Sequence, residues 1–164
     1  MTSALLPAPI VWARRAFLGI ATLDFVALVI FLVVDMTDHD RIVGWISGSW
    51  IYEGVTRENG IDSAVHYAVV SVSAVHLVIT AMFLGLAVAI GKGRLRTRIR
   101  ATVLMVVSTA VNVAVMTSPA GGVAQQAVMA VSIAVKLWAL GLLWLPRATT
   151  AFYARPASGM STTR

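Results

Sequence analysis

Four long apolar runs, at about 14–34, 63–90, 100–117 and 123–145, each carry one strongly polar residue deep inside: Asp24, His76, Asn112 and Lys136. Each run is close to the ~20 apolar residues a helix needs to cross a bilayer. In lipid every backbone polar group must be satisfied within the structure, which favours helices. The expected fold is therefore an all-α integral membrane protein. It is an antiparallel four-transmembrane-helix bundle with an outer interfacial loop or short helix.

Composition agrees. Of 164 residues, 59% are hydrophobic and 12% are charged, against about 25% charged in a soluble domain. Cysteine is absent. That excludes disulfides, thiolate nucleophiles, thiol redox chemistry and cysteine metal sites. The net charge of +6 invites a nucleic-acid reading, but its placement argues otherwise. Ten of the 13 basic residues flank the spans on one side, Arg41 and Arg57 lie on the other, and Lys136 is within a span. Six of the seven acids, from Asp35 to Asp62, lie opposite the basic side, and Asp24 is within a span. This is the positive-inside pattern. The expected location is a bacterial cytoplasmic membrane, with both termini cytoplasmic. The expected partners are the lipid bilayer and a small lipophilic ligand or a membrane protein, with no nucleic acid.

The chain divides into an inner tail (1–12), a membrane domain (13–145) and an inner flexible tail (146–164). The pair Arg14-Arg15 and the absence of a small-residue cleavage pattern mark the first span as a retained anchor, not a signal peptide. Residues 91–100 form a tight basic turn, and 118–122 a tight outer turn. The connection 35–62 is the one long loop. Its Trp45, Trp50 and Tyr52 among aliphatic residues suit an amphipathic piece lying over the outer mouth.

Depth follows from about 1.5 Å of rise per residue, counted from the basic anchors. Asp24 then lies ~14 Å in from Arg15, Lys136 ~17 Å from Arg147, Asn112 ~18 Å from Arg100 and His76 ~24 Å from Lys92. Asp24 and Lys136 are nearly level and are the expected ion pair. Spacing widens the polar faces. Ser108 and Asn112 stack, and Gln125, Ser132 and Lys136 fall within about 40° on one face. His66, Ser73 and Thr80 recur every seven residues, with His76 three beyond Ser73. A path is expected from an outer mouth at Asp35 and His66, through Ser73, Ser132 and His76, to the midplane.

An ionisable group at the bilayer centre costs about 2.5–3.5 kcal/mol on insertion scales and commonly marks a functional site. The leading expectation is an intramembrane polar pocket that binds, and transforms by acid/base chemistry, a small lipophilic substrate. Asp24, His76 and Lys136 are the candidate catalytic residues. Asn112, Ser108, Ser73, Ser132, Trp50 and Glu53 are the candidate substrate contacts. His76 suits a proton relay and Lys136 a developing oxyanion. One competing class is an accessory subunit of a larger membrane complex, its polar residues serving as interhelical hydrogen bonds. Another is a proton- or ion-coupled carrier, dimeric at this size. The stripe Ala81, Gly85, Ala89, Gly93 permits close packing within one chain or between two.

No cofactor or metal is expected. His66 and His76 are ten residues apart in one span, about 15 Å along the axis, and cannot serve one haem iron. The cluster Asp35, Asp38, His39, Asp40 matches no metal-binding spacing and reads as a solvated rim.

Overall fold

The computed structural model describes residues 6–117 and 122–154. Among these, all regular structure is helical: α1 (Ala8–Thr37), α2 (His39–Ser47), α3 (Glu53–Asn59), α4 (Ile61–Ala89), a 3-10 turn (Ile90–Lys92), α5 (Leu95–Met116), α6 (Gly122–Trp144) and α7 (Arg147–Ala154). Four of the helices, α1, α4 with its 3-10 turn, α5 and α6, are long and apolar enough to cross a membrane. Residues 118–121 of the expected turn at 118–122, and the far end of the C-terminal tail, lie outside the described residues.

Helix α1 starts earlier and ends later than its apolar run. Pro7 precedes it and Pro9 occupies its first turn, where a missing N–H costs nothing. It stops where the backbone leaves the helical conformation at Asp38, and the Asp38 carboxylate there accepts a hydrogen bond from Arg41 Nε at 2.8 Å. The long loop holds two short helices, α2 and α3. Gly60, at φ +83°, sets α3 off from α4, in a conformation that side chains resist. The first part of the expected C-terminal tail is helical. Thr149 Oγ1 of α7 donates to the Leu142 carbonyl at 3.1 Å, and the Phe152 ring sits 3.2 Å from where a Cβ on Gly93 would stand.

Helix α1 packs between α4 and α6, and α5 packs mainly on α6. Residues ascending α1 meet residues descending α4: Phe17 lies against Phe83, Asp24 against His76, and Phe31 clusters with Val65. Trp144 likewise meets Thr102, and Lys136 meets Asn112, between α6 and α5. Two apolar clusters result. One, at the end carrying most of the basic residues, gathers Ile10, Phe17, Ile20, Phe83, Met105 and Leu143. The other, at the acidic end, gathers Phe31, Ile42, Ile46, Tyr52 and Val65. Edge-to-face rings run through the second, from Phe31 to Trp45, Tyr52 and Tyr67. Outward faces of the long helices remain apolar, with Phe25, Val29, Val70, Leu77, Val106 and Leu137 about half exposed. A soluble monomer rarely presents so continuous an apolar surface.

Candidate functional site

Between the two apolar clusters lies a buried polar layer: Asp24, His76, Ser108, Asn112, Ser132 and Lys136, none more than 5% exposed. It consists of two knots, each within one helix pair.

The first joins α1 to α4. His76 Nδ1 lies 3.1 Å from Asp24 Oδ1, and Thr80 Oγ1 donates to Asp24 Oδ2 at 2.9 Å. His76 and Thr80 are four residues apart, which stacks them on one face of α4. Both carboxylate oxygens are thereby engaged. An ionised Asp24 accepts a hydrogen bond from His76 Nδ1–H, which leaves Nε2 as the basic nitrogen. Nε2 has no hydrogen-bond partner among the described residues.

The second joins α5 to α6. Asn112, with its amide oriented to satisfy both ends, donates from Nδ2 to the Ser108 carbonyl at 3.0 Å. Its Oδ1 accepts from Ser132 Oγ at 3.2 Å and Lys136 Nζ at 2.9 Å. Ser108 Oγ turns back to the Met105 carbonyl at 3.3 Å. Lys136 Nζ also lies 5.8 Å from the centre of the Phe83 ring, a contact favourable to a cation.

The expected Asp24–Lys136 ion pair does not form. Asp24 is held by His76 and Thr80, and Lys136 by Asn112, with no contact between the two charges. The depth count misled because Arg15 is not at the end of its helix. Asp24 lies sixteen residues from Ala8, and His76 sixteen from Lys92, so both sit about 24 Å in from the basic end. Arg15 instead rests over the Trp12 ring at 4.9 Å.

The remaining candidates separate from the layer. Ser73 is half-buried on α4, with no side-chain hydrogen bond among the described residues. Trp50 is exposed, and Glu53 bonds Arg57 at 2.6 Å. Both line a cavity of about 420 Å³ within the long loop, beside Thr56. Asp35 and His66 do share a cavity, of about 250 Å³, at the acidic end, joined by His39 and Asp62. There His39 Nδ1 lies 3.2 Å from Asp35 Oδ1. Nearby, burial and then Tyr67 push the Tyr52 phenol above its ordinary range. Among the described residues, no three His, Asp or Glu side chains converge as metal ligands would.

Sequence reasoning grouped Thr80 with Ser73 and His66, and so missed its place on Asp24. Its spacing of four from His76 carried the signal. Comparison with family models, with curated proteins and with solved structures finds no match to this chain.

Proposed function

We propose that this chain is an antiparallel four-helix bundle inserted in a bacterial cytoplasmic membrane with both termini cytoplasmic, and that its polar layer is an acid/base site for a small lipophilic molecule. In this reading His76 takes a proton on Nε2 and returns it. Asp24 fixes the ring and its tautomer, as a carboxylate does for any catalytic imidazole. Lys136, steadied by Asn112 and Ser132, stabilises negative charge developing on the substrate. The observation that carries the proposal is the separation of the two knots. A carboxylate–imidazole base and a cation stand in one layer with no direct bond between the two charges. A simple ion pair would have left neither available.

A second reading is an accessory subunit whose polar residues only hold helices in register. One observation favours it: the polar atoms of Asp24, Asn112, Ser132 and Lys136 are already engaged between helices, which leaves His76 Nε2 as the free ring nitrogen of the layer.

Native mass spectrometry of the gently purified chain from its own host, with Asp24→Asn and His76→Gln variants, separates the two. The acid/base site predicts a discrete small-molecule mass on the wild-type chain. That mass disappears from variants that still accumulate. A stoichiometric polypeptide partner with no small molecule would overturn the site in favour of the subunit. A wild-type chain that is stable alone and carries nothing counts against both.

A further inference from the structure

Among the described residues, Arg98 is the buried charge whose side chain has no hydrogen-bonding partner. It lies on the first turns of α5, 5% exposed, at the basic end. Its guanidinium carbon sits 3.8 Å over the Trp144 ring and 5.4 Å from the Tyr153 ring. The Trp144 wall is fixed: Trp144 Nε1 donates to Thr102 Oγ1 at 2.9 Å, and Thr102 Oγ1 donates to the Arg98 carbonyl at 3.0 Å. The Tyr153 hydroxyl donates to the Ile90 carbonyl at 3.4 Å. Within this aromatic cage Nε is buried without any hydrogen-bond partner. Neither Nη atom has one among the described residues.

A guanidinium stays charged at any physiological pH, so burying it requires a counter-charge or a heavy penalty. The sequence contains no such group nearby. After Asp62 there is no Asp or Glu to the end of the chain, the segment 155–164 included. Asp24 is occupied in the polar layer. Tyr153 does not serve either, because burial pushes its phenol up to about 12 against the opposing pull of Arg98. The stacked rings offset part of the cost, but they do not accept the N–H donors.

We infer that Arg98, stacked on Trp144 beside Tyr153, binds a phosphate group. A planar fork of donors suits tetrahedral oxyanions. Its place beside the interface of the long helices matches the phosphodiester of an anionic phospholipid headgroup, and free phosphate has the same chemistry. The inference shares with the proposed function only the placement of the chain in a membrane.

The test uses native mass spectrometry of the full chain in detergent with matched phosphatidylglycerol and phosphatidylcholine. The wild-type chain is expected to retain one phosphatidylglycerol about tenfold over phosphatidylcholine. Arg98→Gln should abolish that preference. Arg98→Lys, which keeps the charge but loses the stacked fork, should lower it at least threefold. Arg96→Gln, on the exposed side of the same turn, should leave it unchanged. Equal retention of the two lipids by the wild-type chain, together with no stabilisation by inorganic phosphate, overturns the inference without recourse to a variant. So does an undiminished preference in Arg98→Lys, whether or not Arg98→Gln accumulates. Millimolar inorganic phosphate supplies the other arm. If it raises the melting temperature of the wild-type chain but not of Arg98→Lys, and no lipid preference is seen, the phosphate site stands and the headgroup source falls.

Discussion

The same chemical pair occurs twice along α1. Asp24 and Asp35 each hold a histidine through Nδ1, at 3.1 and 3.2 Å. The inner pair is 6% and 4% exposed, whereas His39 and Asp35 of the outer pair are 54% and 24% exposed. The inner pair ties helices 52 residues apart in sequence, and the outer pair links neighbours at a spacing of four. Equal distances therefore conceal unequal energetics. Water and salt can replace the outer contact at little cost. The inner pair is shut off from water, and removing one partner strands the other. Only the inner imidazole is positioned firmly enough for proton transfer to be directional.

The largest effect should come from Asp24→Ala, which strands both His76 and Thr80. Loss of a buried charged partner costs about 3–5 kcal/mol, read as a lowered unfolding midpoint in detergent micelles. A loss no greater than that of Asp35→Ala would erase the contrast. Next comes Asn112→Leu. It leaves the Lys136 ammonium without its oxygen acceptor, at about 1.5–3 kcal/mol for a hydrogen bond to a charged group. Lys136→Met removes the charge together with its need and should be close to neutral in the same unfolding assay. If Met is the more damaging of the two, Lys136 has a further partner that the geometry does not reveal. Thr80→Val removes one hydrogen bond and keeps the shape, costing about 1 kcal/mol. Asp35→Ala should shift stability by less than about 0.5 kcal/mol. Half-molar salt should abolish even that difference.

Much of the layer was legible from periodicity. Asn112 with Ser108, and Ser132 with Lys136, repeat every four residues, and the structure brings them into one knot. What spacing along a helix does not encode is which helices are neighbours and at what height. Asp24 and Lys136 looked level because Arg15 and Arg147 were taken as markers of one plane. The chain continues as helix for seven residues before Arg15, because a basic residue near an interface can fold its stem back along the helix. Trp50 and Glu53 followed from composition, and composition cannot distinguish a loop that covers a site from one that encloses its own cavity. Arg98 was lost in an alternating basic run. The signal was the absence of any acid after Asp62, combined with aromatic residues at 144 and 153.

The enclosure of each polar knot within its own helix pair has a consequence for synthesis. In the proposed membrane setting a ribosome would deliver the helices in order, and each would dwell in the bilayer with whatever partners have already emerged. Lys136 reaches a partner already in place, since Asn112 precedes it by 24 residues. Asp24 has no such partner and waits while 52 further residues are made before His76 appears. The helix that waits alone is also the most apolar of the four. In that setting its surplus hydrophobicity would anchor the nascent chain during the interval in which its carboxylate is unaccompanied.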